Sequence, residues 1–210
     1  MRWHASPNHG PRRNGLTPSI IVIHYTAMDT SDAAIERLCD PAAEVSAHYL
    51  ISNKGETVQM VAEDQRAWHA GAGEWRGQDD INSRSIGIEL DNTGFEPFSE
   101  PQMAALERLL CDIRSRWSID PLNIIGHSDM APGRKFDPGP RFDWSRLARQ
   151  GLAGPTTPPA ATAEFVETAR AAGFTATSDD GLLLQATRLR FAPWRVGAQC
   201  PEDVELYHRT

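Results

Sequence analysis

The sequence predicts an α/β (α+β) domain, a mixed central β-sheet flanked by helices, followed by a small C-terminal helical unit. Three observations carry this. Ile20-Ile21-Val22-Ile23 is a continuous apolar run, as expected of a strand covered on both faces. Residues 85–91 alternate, with Ile86, Ile88 and Leu90 facing one way and Gly87 and Glu89 the other. Met103, Leu106, Leu110, Ile113 and Trp117 recur at helical spacing.

The remaining elements follow in order. Asp29-Thr30-Ser31-Asp32 offers N-cap residues ahead of a helix carrying Ala34, Ile35 and Leu38. Residues 48–51 and 57–61 flank Asn53-Lys54-Gly55-Glu56, the pattern of a hairpin. Ser99 and Gln102 form a capping-box pattern at the head of the long helix. Asn123-Ile124-Ile125-Gly126 is a short last strand that ends at His127. Residues 151–162 are a Pro/Thr/Ala/Gly stretch without charge, which reads as a linker after a domain spanning 1–150. Beyond it, residues 163–173, 181–191 and 201–207 read as helices. A unit of 163–210 is near the lower limit for an independent core, so it is expected to lean on the main domain.

Composition narrows the function. The 210 residues carry 21 Lys+Arg against 28 Asp+Glu, a formal charge of −7, with no long basic block. Nucleic-acid capture over a broad basic face is therefore not expected. No apolar run approaches the roughly 20 residues that span a bilayer, and the first ten residues lack the apolar core of a secretory signal. The expectation is a cytoplasmic monomer, with a periplasmic location following if a leader has been removed. Cys39, Cys111 and Cys200 are odd in number and widely spaced, which fits neither a disulfide framework nor a thiolate metal knot. Cys39 and Cys111 read as small buried hydrophobes.

Three polar residues fall late in, or just after, buried strands: His24, Glu89 and His127. Strand ends aim side chains into a shared crevice, and two imidazoles with a carboxylate suit a metal that takes N and O ligands. The segment from Gly126 to Pro140 is held as an ordered loop by two Pro-Gly units. It carries one His, two Asp and one Lys within eleven residues. Asp129 and Asp137 both compete for a third ligand position, and spacing does not choose between them.

That loop, with Ile23-His24-Tyr25-Thr26-Ala27, Ser46-Ala47-His48-Tyr49-Leu50-Ile51, Ala67-Trp68-His69-Ala70-Gly71 and Ser85-Ile86-Gly87-Ile88-Glu89-Leu90, resembles the type 2 N-acetylmuramoyl-L-alanine amidase family, in its AmpD-like and AmiD-like branches. T7 lysozyme and the peptidoglycan recognition proteins are its remoter relatives. The five motifs stand in the family's order, which makes the resemblance specific. It implies one zinc ion held by His24, His127 and Asp137, which selects Asp137 over Asp129. It implies Glu89 as the acid that activates water and Lys135 as the cation beside the developing oxyanion. Trp68 and His69 resemble a substrate-cleft wall, with Asn82 just before the Glu89 strand as a further substrate-binding candidate. Ala47 stands where the T7-like branch has a tyrosine, so base catalysis falls to Glu89.

The implied activity is zinc-dependent hydrolysis of the amide bond between the muramic acid lactyl group and L-Ala of the stem peptide. Its partners are peptidoglycan or muropeptide fragments, the muramic acid plain or in its 1,6-anhydro form, in cell-wall turnover or recycling. The competing reading is a recognition module that binds without cutting. A complete ligand set together with Glu89 argues for the enzyme. The C-terminal unit resembles weakly the peptidoglycan-binding module that follows the catalytic domain in AmiD-like proteins, and a helical cap on the main domain is the alternative.

Overall fold

The computed structural model describes residues 1–154 and 164–205. Strands β1 (Arg2–Trp3), β2 (His9–Pro11) and β3 (Ile20–Tyr25) precede helix α1 (Ser31–Cys39). Then come β4 (Tyr49–Ile51), β5 (Thr57–Gln59), β6 (Gln65–Ala67) and a short α2 (Ile81–Arg84) that runs directly into β7 (Ser85–Leu90). The long α3 (Glu100–Trp117) leads to β8 (Ile124–Gly126), α4 (His127–Met130) and α5 (Trp144–Arg149). Helices α6 (Phe165–Ala172), α7 (Asp180–Phe191) and α8 (Pro201–Glu205) follow the undescribed stretch, so most of the expected linker lies outside the described residues.

Six strands form one mixed sheet in the order β1-β5-β4-β7-β3-β8, and β2 pairs with β6 in a separate ribbon. Strands β4, β7, β3 and β8 run parallel, while β5 returns antiparallel to β4 through the expected hairpin. Gly55 makes the hairpin turn at φ +82°, and a Cβ there would meet the Pro101 carbonyl oxygen at 2.5 Å. Glycine is thus required twice over, by the backbone angle and by the close approach of α3.

Period-two alternation sorts the sheet into two faces. Ile21 and Ile23 of β3 and Ile86, Ile88 and Leu90 of β7 share a core with Leu106, Leu110 and Ile113 of α3. Ile20 and Val22 point the other way, into a core with Ile125, Trp75 and Ile81. His24 and Glu89 continue that second face. A third cluster packs Ile35 and Leu38 of α1 on Leu50 and Val58.

Two expectations are corrected. Ser99 caps α3 by accepting from the Gln102 N–H at 3.3 Å, but the Gln102 side chain does not reach back to complete a capping box. Its amide nitrogen donates to the carbonyls of Ile51 (2.9 Å) and Asp91 (3.1 Å), so it bridges the ends of two neighbouring strands. Cys111 is exposed rather than buried, because the apolar stripe of α3 runs through Leu106, Leu109, Leu110 and Ile113 and leaves position 111 outside it. Cys39 is half-buried.

The C-terminal helices share the second core. Phe165, Ala169, Phe174, Leu183 and Ala186 pack with Val22, Trp75, Ile125 and Met130, and the Trp75 and Phe174 rings meet edge to face at 5.2 Å. A unit too small for its own core has merged its apolar face with that of the sheet.

His48, just before β4, is a buried tie between strands. Its Nδ1 accepts from the Gly87 N–H at 3.0 Å, so the ring proton sits on Nε2 and is donated to the Gln65 carbonyl at 3.1 Å. Arg12 Nη2 lies 3.2 Å from that Nε2, and the His69 ring lies 5.8 Å away. Burial, then the Arg12 charge, bring the His48 pKa down to about 3, against weaker opposing pulls from Gln65 and Glu63.

Two outcomes follow. Phe174→Ala should cost about 3–5 kcal/mol in urea unfolding. Circular dichroism and fluorescence should still report one coincident transition, and separate transitions would show that the helices fold apart from the sheet. For His48 the folded pKa lies below the unfolded value, so its contribution is whole above the unfolded pKa of about 6.5 and is lost as pH falls towards 3. His48→Gln keeps a donor and an acceptor but binds no proton. The loss of stability between pH 7 and pH 4 should shrink by about 3 kcal/mol relative to wild type, and an unchanged pH dependence would refute the assignment.

Candidate metal centre

The parallel register sets His24 of β3 directly beside Glu89 of β7, on the same face. β8 ends one residue before His127, which opens α4, and the loop beyond it returns Asp137 to the same point. His24 Nδ1 lies 2.8 Å and His127 Nδ1 3.0 Å from Asp137 Oδ2, with the two rings nearly perpendicular and 4.5 Å apart. One ligand atom from each of the three residues falls within 4.8 Å of the others, and all three residues are buried.

The outward nitrogens settle what the inward ones can do. His127 Nε2 lies 2.8 Å from the Ala70 carbonyl oxygen, which can only accept, so its proton is there. Ser85 donates its hydroxyl to the Ile81 carbonyl at 2.6 Å, which makes its oxygen the acceptor for His69 Nε2–H at 3.1 Å. His69 Nδ1 then accepts from His24 Nε2–H at 3.0 Å. Both Nδ1 atoms are left as bare lone pairs, and both face a carboxylate oxygen. Three acceptors converging without a proton is a repulsive arrangement that a cation resolves, and outward imidazole N–H groups held by acceptors are the usual support of metal-ligating histidines. The donor set fits a divalent metal.

The titration directions agree. Burial first, then His127, lower the His24 pKa to about 4, against the pull of Asp137. Glu89 goes the other way: burial and then the Asp137 charge push it well above the usual value, with Lys135 offsetting part. Its Oε2 is shielded and has no hydrogen-bond partner.

A cavity of about 370 Å³ opens over these groups. His24, His127, Asp137, Glu89, Lys135, Trp68 and His69 all border it, as do Tyr25, Arg37 and Phe136. Asn82 does not border it. Its Oδ1 accepts from the N–H groups of His69 (3.0 Å) and Ala70 (2.8 Å), so it holds the turn that supports both imidazoles. His69 borders the cavity, but both its ring nitrogens are engaged behind it. Gly87 makes room for that ring, since a Cβ there would come 2.5 Å from His69 Cγ. Asp129, the rival for the third ligand position, turns away and accepts from the Gly126 N–H at 2.8 Å and from Arg190. The supports that sequence reasoning missed are Ser85 and the Ala70 carbonyl, and a backbone carbonyl leaves no trace in residue type.

Known proteins share this frame. Over 149 residues the chain is 44% identical to the N-acetylmuramoyl-L-alanine amidase AmiD of Escherichia coli K12, a match covering 63% of this chain and 53% of that protein, about half its length. It is 38% identical over 159 residues to the 1,6-anhydro-N-acetylmuramyl-L-alanine amidase AmpD of Enterobacter cloacae, covering 68% of this chain and 85% of that protein. The solved E. coli AmiD, in complex with the substrate anhydro-N-acetylmuramic acid-L-Ala-D-gamma-Glu-L-Lys, superposes with a TM-score of 0.78 at 33% identity, over 92% of this chain and 89% of that one. The family model described as N-acetylmuramoyl-L-alanine amidase matches residues 14–140, a stretch that holds the whole His-His-Asp cluster and Glu89. By that match, on a site whose side chains converge as described, this chain belongs to the N-acetylmuramoyl-L-alanine amidase family.

Proposed function

We propose that this chain hydrolyses the amide bond between the lactyl group of N-acetylmuramic acid, plain or 1,6-anhydro, and L-Ala of the stem peptide, using one zinc ion. The observation that carries the reading is the convergence of two bare imidazole nitrogens on Asp137 beside a half-buried Glu89 whose shielded Oε2 has no partner. Two neutral imidazoles and one carboxylate are a donor set of catalytic zinc, leaving a coordination position open. The substrate follows from the relatives, since AmiD was solved with an anhydromuramyl peptide and AmpD is named for one.

Bound by His24, His127 and Asp137, zinc would supply Lewis acidity, polarising a carbonyl oxygen and acidifying water. Glu89 takes the proton released by the attacking water and returns it to the amine as the C–N bond breaks. Its raised pKa suits both halves of that task, because the carboxyl can hold the proton between the two steps. Lys135 sets a fixed positive charge on the cavity wall, where the carbonyl oxygen gains negative charge. His69 and Ala70 keep the two imidazoles aimed, and Asn82 keeps His69 and Ala70 in place. Trp68, half-buried on the wall, offers an apolar surface to the bound fragment.

Mass spectrometry of products from a disaccharide-tetrapeptide muropeptide tests this. Wild type loaded with zinc should free the intact peptide from the sugar, His127→Ala should lose both zinc and activity, and Glu89→Gln should keep zinc while losing about 10²–10⁴-fold in rate. Binding without release by wild type would make the protein a recognition module. Full activity in Glu89→Gln would move the base elsewhere. Lys135→Met should lower kcat by about 10²–10³-fold with little change in KM, as for removal of an oxyanion donor. A change confined to KM would assign Lys135 to substrate binding instead.

A further inference from the structure

Arg190 lies on α7, 61 residues beyond Asp129, and is buried beneath the metal loop. Its Nη1 donates to Asp129 Oδ2 at 2.5 Å, its Nη2 donates to the Ile124 carbonyl at 3.1 Å, and its guanidinium carbon stacks 3.9 Å from the Trp144 ring centroid. One side chain of the C-terminal helix therefore touches β8, α4 and α5 at once. Asp129 is completely buried, and the same Oδ2 that meets Arg190 accepts from Gly126, which caps α4 one residue before the ligand His127. Its other oxygen, Oδ1, has no hydrogen-bond partner. Further along the loop, Leu182 of α7 sits against Gly133, where a Cβ would come within 2.8 Å of Leu182 Cδ2. Helix α7 thus braces the loop near both of its ligands.

Two carboxylates lie within this loop, two and ten residues past His127, and a metal could draw on either. We infer that Arg190 is a positioning residue that selects the ligand set: by fixing Asp129 to the head of α4 it keeps that carboxylate away from the histidines and holds the His127 ring towards Asp137. Without the guanidinium, Asp129 is a buried carboxylate with only one backbone partner, free to turn, and the cap on α4 loosens with it. The C-terminal helices, on this inference, serve the metal centre from behind. The inference rests on the zinc reading above.

The test is zinc affinity of the full chain, measured by competition with a chromophoric chelator, alongside the visible spectrum of the Co²⁺-loaded protein and the unfolding temperature of the metal-free protein. Arg190→Met should weaken zinc binding about 10–100-fold and alter the Co²⁺ bands, with Arg190→Lys recovering part of the affinity. A lower unfolding temperature with zinc affinity within about twofold of wild type would leave the ion pair as tertiary packing only and overturn the inference. Should Arg190→Met not fold, Arg190→Lys keeps a cation beside Asp129 but lacks the planar fork that spans Asp129 and the Ile124 carbonyl. It should still bind zinc at least about fivefold more weakly than wild type, and wild-type affinity in it would equally overturn the inference. Failure of wild type itself to bind zinc would bring down the zinc reading, an outcome distinct from equal binding by wild type and variant.

Discussion

Two imidazoles stay aimed at one carboxylate oxygen only while their far nitrogens are held, and here both are held by adjacent residues. His69 accepts the His24 N–H through its ring, and Ala70 accepts the His127 N–H through its carbonyl. Asn82 grips the backbone of both, and Gly87 leaves room for the His69 ring. Much that surrounds the site is arranged to keep this dipeptide still. The arrangement is also asymmetric: one histidine leans on a side chain that has its own chain of partners, the other on a rigid peptide group. Side-chain replacement can disturb the first support directly, and the second only through the turn that carries it.

The sheet supplies what hydrogen bonds cannot, a fixed separation between the acid and the ligands. Parallel pairing of β3 with β7 places Glu89 beside His24, and alternation puts both on the face opposite α3. A one-residue slip would send Glu89 into the apolar core and Ile88 into the cleft, so the register is locked by burial on the far side. Glu89 can remain unpartnered because Ile86, Ile88 and Leu90 anchor its strand. Catalytic potential at one residue thus depends on apolar packing at its neighbours.

Much of this was legible in the residues. The run at 20–23 and the alternation at 85–90 identify buried strands because strand periodicity depends on burial alone, and His24, Glu89 and His127 stand out as polar groups late in or just after such strands. The resemblance supplied the preference for Asp137 over Asp129, which spacing left open, and the role inferred for Arg190 would give it a physical reason. Asn82 was misleading for a general reason: a buried amide near a cleft looks the same in sequence whether it faces substrate or backbone. Gln102 escaped for a similar reason, since the residue type that completes a capping box can equally bridge two strand ends. The Ser85 hydroxyl and the Ala70 carbonyl could not be found, because nothing in residue type marks a group whose role comes from where the chain turns.

The shared core behind the sheet also bears on the order in which the molecule is made. A chain emerging from its N-terminus presents β3, β7 and the metal loop well before α7. Arg190 follows Asp129 by 61 residues, roughly 3–12 seconds of synthesis. During that interval the second face of the sheet has no C-terminal helices to cover Val22, Ile125 and Met130, and Asp129 has no guanidinium. The candidate ligands are therefore all present before the support beneath them exists. If Arg190 selects the ligand set as inferred, the centre is complete only once the last helices arrive, and the nascent chain carries an apolar surface through the period when it is most open to aggregation or to chaperone capture.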